Sequence, residues 1–240
     1  MKLDEQQLAA WRRDGVVPLG RVLTDEQVAG AREHFDAMHA AGLTDNPSAD
    51  PKRSRIRVLN IYAKDPWFLN LISSDPVLDA AESVLGPNIQ YFQDNCFWKP
   101  PYEGMSTQWH QDNIWWHADP PNIVTIWIAL DDTDASNGAV QYQAGSHAAM
   151  LEPTFEVNDP KAGRYFLLGD DQVDRSKMVQ FTVPAGHAVM HHCMTIHGAP
   201  PNTSPRPRRG YTVHLMEEGI LNFDVKTHPI LRGRMRARAS

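Results

Sequence analysis

Several features are scarce or missing in this sequence of 240 residues, and each scarcity excludes a class of protein. Cysteine occurs only at Cys96 and Cys193, both in apolar surroundings, which predicts buried free thiols and excludes a disulfide-built scaffold. No apolar run approaches the roughly 18 residues that a membrane helix needs. The first residues, Met1 to Gln7, lack the apolar core of a secretory signal. We therefore expect a cytoplasmic protein without a membrane partner.

An excess of basic residues is also missing, since 23 Lys and Arg residues stand against 29 Asp and Glu residues and the net charge is −6. Neutralising phosphate groups requires clustered basic side chains, so we expect no nucleic-acid partner. With 42% apolar and 22% charged residues, the composition is typical of a folded globular protein. The sequence is instead rich in histidine, with 11 residues, and in tryptophan, with 7. A function has to explain these two residue types.

The pattern of the chain changes near Gly86. The first 45 residues read as helices, with a capping box from Thr24 to Gln27, and a further helix is predicted from Pro76 to Leu85. From Ile89 onward, short β-rich runs are separated by turn signals, without repeats or βαβ alternation. These runs cover residues 89–98, 123–130, 139–143, 178–183, 188–196 and 211–216. The spacing predicts a mainly β fold, a sandwich or a jelly roll.

We expect one domain over residues 1–240, in which a helical support (1–50) packs on a β core (54–217). Within the core, Asn137-Gly138 is a strong signal for a hairpin turn. The segment 148–177 lacks periodicity and has the length of a lid or substrate loop.

A metal site is indicated by the spacing of His110 and Asp112 in Gln108-Trp109-His110-Gln111-Asp112. Side chains two apart on a strand project from the same face, so this pair is able to bind one ion. A third ligand has to come from another strand, and His197 is the best candidate because it ends a β-like run before Gly198. Two histidines and one carboxylate form the facial triad of non-haem Fe(II) enzymes, whereas a structural zinc site fills all four positions.

An arginine opens the strand that follows His197, and an inward arginine there would bind a dicarboxylate cosubstrate. Alternation places Arg208 on one face with Thr212 and His214, and Arg209 on the other with Tyr211 and Val213. Alternation alone does not decide which face is the pocket.

Several segments occur in the order seen in one known family, and the resemblance runs from about Arg55 to Leu215. They are Gly86-Pro87-Asn88-Ile89, Lys99-Pro100-Pro101, Trp109-His110-Gln111-Asp112, Trp127-Ile128-Ala129-Leu130-Asp131, Asn137-Gly138, Gly145-Ser146-His147, His197-Gly198, Asn202 and Arg208. The sequence thereby resembles the phytanoyl-CoA dioxygenase-like Fe(II)/2-oxoglutarate oxygenases. The resemblance implies a double-stranded β-helix, cupin-like core with iron on His110, Asp112 and His197. It also implies that Arg208, not Arg209, binds the far carboxylate of 2-oxoglutarate, with O₂ as the second cosubstrate.

The same resemblance lends roles to further residues. Asn95 and Lys99 would lie beside the cosubstrate, Trp127 would pack on it, and Thr125 shares the face of Trp127. Gln93 and Trp116 would face the primary substrate. One departure from the family pattern is Ala199, which stands where members often carry serine, so one hydroxyl contact to the cosubstrate is missing or supplied elsewhere.

The sequence predicts a dioxygenase that oxidises a small molecule, by hydroxylation or by oxidative ring formation, with release of succinate and CO₂. The tryptophans around the predicted iron favour a secondary metabolite with a ring or sugar, and no oligomeric state is predicted. Two alternatives keep the three ligands. One is a cupin-like protein that binds a metal or sugar without redox activity, and the other is a zinc hydrolase.

Overall fold

Two antiparallel sheets form the framework of the computed structural model, which describes residues 2–45, 56–159, 163–221 and 226–233. The larger sheet has the spatial order β1 (Val16–Arg21), β10 (His187–His192), β5 (Ile123–Ala129), β12 (Arg208–Glu217), β3 (Ile89–Lys99) and β13 (Ile230–Arg232), and β2 (Ile56–Leu59) also pairs with β3. The smaller sheet has the order β4 (Thr107–His110), β11 (His197–Ala199), β6 (Gln141–Gln143) and β9 (Met178–Gln180). The predicted mainly β fold of the jelly-roll class is thus confirmed.

Helices precede and separate the strands. They are α1 (Glu5–Asp14), α2 (Asp25–Ala40), α3 (Ile61–Lys64), α4 (Leu69–Ile72), α5 (Asp75–Leu85) and α6 (Asn113–Trp116). The predicted capping box at α2 is present, because the backbone N–H of Gln27 donates to Thr24 and the Gln27 side chain accepts from the Thr24 N–H. None of the helices within the described ranges is long and apolar enough to cross a membrane.

Residues 16–21 are a strand and not part of a helix, so the prediction of a wholly helical segment 1–50 is wrong there. Gly15 ends α1 in the left-handed conformation with φ of 69°. Val16 and Val17 then favour an extended chain, and Pro18 has no N–H for a helical hydrogen bond. The strand pairs with β10, with Val16 opposite His191. The predicted boundary at residues 50–54 lies outside the described residues.

The helices cover one face of the larger sheet and leave the other face to the site. Phe35 of α2 and Phe68 before α4 are fully buried in a core with Tyr211, Val213 and Leu215 of β12. Since strand side chains alternate, Arg208, Thr212 and His214 of β12 point toward the smaller sheet. The inner face therefore carries polar groups between the two sheets.

Asn137-Gly138 does not join a hairpin, because β5 and β6 belong to different sheets. The Asn137 side chain accepts from the Asp134 N–H at 2.8 Å and donates to the Asp132 carbonyl at 2.8 Å. It fixes a corner at which the chain crosses from one sheet to the other, and Gly138 leaves that corner with φ of 87°.

The segment 148–177 contains a hairpin where the sequence shows no periodicity. Strands β7 (Phe155–Asp159) and β8 (Gly163–Leu167) pair with each other and with no other strand of the described chain. The segment is tied to Gln111, the residue between the predicted metal ligands His110 and Asp112, because Gln111 donates to the Ala149 carbonyl at 2.8 Å and accepts from the Leu151 N–H at 2.8 Å. It lies directly beside the candidate site.

Candidate metal and cosubstrate site

The three predicted metal ligands meet between the sheets. His110 on β4 and His197 on β11 are directly opposite each other in the sheet register, and Asp112 follows β4. One ligand atom from each of the three lies within 4.8 Å of the others. No second group of this kind occurs in the part of the chain that the structure describes.

Hydrogen bonds fix which ring nitrogen each histidine presents. The Nδ1 atom of His110 lies 2.7 Å from the Gln108 carbonyl oxygen, and that of His197 lies 3.0 Å from the Thr195 carbonyl oxygen. A carbonyl oxygen only accepts, so both Nδ1 atoms carry a proton and both Nε2 atoms present a lone pair. Each Nε2 lies 3.7 Å from the same Asp112 Oδ1. Two nitrogens and one oxygen thus converge on one point.

The second oxygen of Asp112 ends a chain of hydrogen bonds, here named the donor chain, through Thr125, His214 and Asn95. The Thr125 hydroxyl donates to Asp112 Oδ2 at 2.8 Å. Having used its only proton, it accepts from His214 Nδ1 at 2.8 Å, and His214 Nε2 then accepts from the Asn95 amide at 3.3 Å. The side-chain oxygen of Asn95, Oδ1, accepts from the Asn60 backbone N–H at 3.2 Å. Every member therefore has one orientation and one direction of donation.

His191 flanks the same carboxylate from β10. Its Nε2 lies 3.4 Å from Asp112 Oδ2, and its ring centre lies 4.4 Å from that of His197. Burial lowers the pKa of His191 to about 4, with a further contribution from His197. The ring is accordingly neutral near pH 7, so His191 packs against the site without adding a further cation.

Burial by itself would raise the pKa of Asp112, but the electrostatic influence of the neighbouring His197 and His191 side chains lowers it by more. The pKa of Asp112 is therefore held well below its ordinary value. A lowered pKa favours the ionised carboxylate, which is the form that binds a metal.

This donor set fits Fe(II) with open positions. Two neutral imidazoles and one carboxylate supply three ligands, so half of an octahedral coordination sphere is left for small molecules. The donor chain supplies the outer hydrogen bond that orients the Asp112 carboxylate as a metal ligand. A closed structural zinc site would need a fourth protein ligand, and the described residues place none within the group.

Arg208 is the arginine that faces the interior. Its side chain is buried, and its guanidinium carbon lies 4.7 Å from the centre of the Trp127 ring. Gly210 makes room for this ring, because a Cβ there would lie 2.5 Å from it. Arg209 points to the outer face, where it binds Asp131 and Asp36 at 3.0 and 2.9 Å. The structure therefore places Arg208, and not Arg209, on the face with the metal ligands.

Lys99 lies beside Arg208, since the two residues are paired across β3 and β12. The Lys99 ammonium is fully buried and donates to the Pro200 carbonyl at 2.6 Å. Two cationic side chains thus share one end of the inner face. Asn95 and Thr125 are also buried, but their hydrogen bonds run toward Asp112, and their direct contact with a cosubstrate remains a prediction.

The predicted substrate side chains lie on the other side of the ligands. Trp116 packs edge-on against Phe92 at 5.0 Å and against His214 at 4.8 Å, measured between ring centres. Gln93 is paired with His214 in the sheet and is half-buried. The aromatic side chain most open to solvent there is Trp115, which is 46% exposed and lies 5.0 Å from the His110 ring.

Sequence reasoning assigned no site role to His214 or Tyr142, whereas it placed Trp115 among the tryptophans that could stack on a substrate ring. Alternation had placed His214 on the face of Arg208, but only the cross-strand register shows that it meets Thr125. Trp109, expected among the stacking aromatics, is buried beneath the guanidinium of Arg175 at 4.6 Å. It is therefore not available to a ligand.

Comparisons with known proteins identify the family of this chain. The family model of phytanoyl-CoA dioxygenase matches residues 11–210. The ectoine dioxygenase of Bordetella parapertussis is 23% identical over 245 residues, which covers 92% of this chain and 78% of that protein. The probable alpha-ketoglutarate-dependent hypophosphite dioxygenase of Stutzerimonas stutzeri is 30% identical over 145 residues, covering 58% of this chain and 49% of that protein.

Among solved structures, the epimerase SnoN in complex with Fe³⁺, alpha ketoglutarate and nogalamycin RO has the same fold, with a TM-score of 0.73 and 20% identity. The match covers 89% of this chain and 83% of that chain. The predicted enzyme class, a non-haem Fe(II)/2-oxoglutarate-dependent dioxygenase, and its cofactors are confirmed together with the predicted resemblance. The chain belongs to the phytanoyl-CoA dioxygenase family.

Proposed function

We propose that this dioxygenase oxidises a ring-containing secondary metabolite with release of succinate and CO₂. The observation that carries the proposal is the placement of a buried Arg208 on Trp127, on the same inner face as a triad with open positions. A protein that only bound a metal or a sugar would have no need of an arginine that faces the interior beside the metal ligands.

Each part of the site has a role in this proposal. His110, Asp112 and His197 hold Fe(II), while Arg208 and Lys99 bind the distal carboxylate of 2-oxoglutarate. Trp127 closes the wall beside that carboxylate and excludes water. Thr125 and Asn95 act through Asp112, whose orientation they fix. When bound, iron with its cosubstrate supplies the O₂-dependent oxidation of a C–H bond, and the protein supplies position and a dry cavity.

The substrate would bind over α6, on the side of the ligands away from Arg208. Trp115 offers an exposed indole for stacking on a flat or saturated ring, with Trp116 and Gln93 beneath it. The relatives that act on ectoine or bind nogalamycin RO support a small organic substrate. Hydroxylation is the default outcome. Halogenation is disfavoured because Asp112 occupies the position that a halide would need.

Two further expectations are part of the proposal. We propose that the hairpin of β7 and β8 serves as a lid over the substrate. Gln111, which lies between the metal ligands His110 and Asp112, holds the segment that leads into this hairpin through hydrogen bonds to Ala149 and Leu151. We also place the protein in the cytoplasm as one domain, which the two free buried cysteines support.

Anaerobic titration with Fe(II) and 2-oxoglutarate tests the proposal. The wild-type protein should give the weak visible band of the iron chelate, and succinate release should rise with the right member of a panel of cyclic metabolites. Arg208→Gln should abolish the band at cosubstrate concentrations that saturate the wild type, because the distal carboxylate loses a bidentate partner.

Arg209→Gln is the matched control, since it removes the neighbouring guanidinium from the outer face. It should keep the band. If the wild type shows no band, or if both variants behave alike, the oxygenase proposal fails. Turnover with Zn(II) in the absence of O₂ would instead establish a hydrolase.

A further inference from the structure

The hydroxyl group of Tyr142 is a buried polar atom without a hydrogen-bond partner in the structure. Tyr142 lies on β6 directly opposite His197 on β11, so its side chain leaves the smaller sheet on the same side as this metal ligand. The two rings are stacked at 6.1 Å, and the His191 ring lies at 5.2 Å. The phenol therefore extends into the space between the sheets.

On the far side of that space, the Tyr142 ring packs in one cluster with Trp127, Ala129 and Val189 of the larger sheet. Trp127 is the ring on which the Arg208 guanidinium lies. The charge of Arg208 acts on the phenol, and it opposes the increase in the pKa of Tyr142 that burial causes. Tyr142 thus bridges the two sheets at the level of Arg208.

An unpartnered buried hydroxyl is unfavourable, and a phenylalanine would fill the same space without this cost. Tyr142 is fully buried, so water does not satisfy the group from the surface. A ligand that accepts a hydrogen bond would satisfy it. The neighbouring guanidinium indicates that such a ligand is an anion.

We propose that the Tyr142 hydroxyl donates a hydrogen bond to the distal carboxylate of 2-oxoglutarate, next to Arg208. This inference rests on the proposed function, since it assumes that 2-oxoglutarate binds with its distal carboxylate at Arg208. Ala199, two residues after His197, has no hydroxyl to offer from β11. Tyr142, on the adjacent strand β6, supplies a hydroxyl from the same sheet.

Tyr142→Phe tests the inference, because it removes one oxygen and keeps the ring. A hydrogen bond to a charged group corresponds to a change in affinity of about 10- to 100-fold. We expect the dissociation constant of 2-oxoglutarate, from anaerobic titration of the Fe(II) protein, to rise by that factor. The affinity for Fe(II) alone should not change, and the ligand-free variant should unfold at the same temperature or a higher one.

A comparison of cosubstrates separates this role from a structural one. 2-Oxopentanoate carries a methyl group in place of the distal carboxylate, so its affinity should be the same for the wild type and for Tyr142→Phe. Equal affinity of both proteins for 2-oxoglutarate would overturn the inference while leaving the proposed function intact. An equal loss for both acids would overturn the assignment to the distal end. A wild-type protein that binds neither acid would overturn the proposed function and the inference together.

Discussion

Replacing Thr125 by valine should weaken iron binding without touching a metal ligand. Valine has the shape of threonine, and residue 125 is only 2% exposed, so the substitution removes the hydroxyl and little else. The lost bond to Asp112 Oδ2 is 2.8 Å long and has a charged acceptor, which makes it worth about 1.5–3 kcal/mol. Loss of such an outer hydrogen bond typically lowers metal affinity by about 10- to 100-fold.

The same substitution leaves His214 Nδ1 with no acceptor, and an unsatisfied buried donor costs about 1–3 kcal/mol of stability. The assay is anaerobic competition for Fe(II) against a chelator, with thermal unfolding measured in parallel. Thr125→Ser keeps the hydroxyl and serves as the control, and it should bind Fe(II) nearly as well as the wild type. If folded Thr125→Val binds Fe(II) with wild-type affinity, or if both variants lose affinity equally, the donor chain does not orient Asp112.

Three further predictions concern groups around the site. Burial, followed by the charge of His147, lowers the pKa of His192 to about 4 in the folded state, below the unfolded value of about 6.5. The stabilisation from the buried neutral ring is therefore fully present above pH of about 6.5, and it is lost as the pH falls toward 4. His192→Asn, which keeps an acceptor for the Met194 N–H, should lose about 1–2 kcal/mol less than the wild type between pH 7 and pH 5 in urea unfolding. Gly210→Ala should push on the Trp127 ring, lower stability by about 1–3 kcal/mol and weaken 2-oxoglutarate binding, as denaturation and titration will show. On the outer face, the Asp94 carboxylate accepts from two tyrosine hydroxyls at 2.7 Å each. Asp94→Asn should therefore lower the free energy of unfolding by about 1–3 kcal/mol, while the affinities for Fe(II) and for 2-oxoglutarate stay unchanged in titrations.

The metal ligands were predictable because two of them lie close together in the sequence and the third stands at the end of a predicted strand. His110 and Asp112 are two residues apart, and the distal His197 precedes a glycine at the end of a β-like run. The choice between Arg208 and Arg209 was different, because alternation separates the two faces without naming the inner one. The resemblance named Arg208, and the structure places it on the inner face.

The partners across the strands were not predictable from the sequence. Thr125 meets His214 because β5 and β12 pair in one register, and a one-residue shift would have turned both side chains away. The pairing of β3 with β12 skips Phe92, since His214 pairs with Gln93 and Leu215 with Tyr91, and the sequence carries no signal for this bulge. Strand β1 was missed for another reason: its β-branched residues are few and follow a helix directly, so the break at Gly15 carried the information.

Strand β1 has a consequence for how the larger sheet ends. It pairs with β10, the strand that carries His191, so this histidine lies on an interior strand of the sheet with a neighbouring strand on each side. Strand β1 is therefore the edge strand of the larger sheet. It contains Pro18, which has no N–H to donate, and its pairing with β10 is irregular between Pro18 and Gly20. An edge strand of this kind resists the addition of a strand from another molecule. A variant that lacks residues 1–21 would expose the edge of β10 beside the metal ligands, and we expect it to self-associate through that edge.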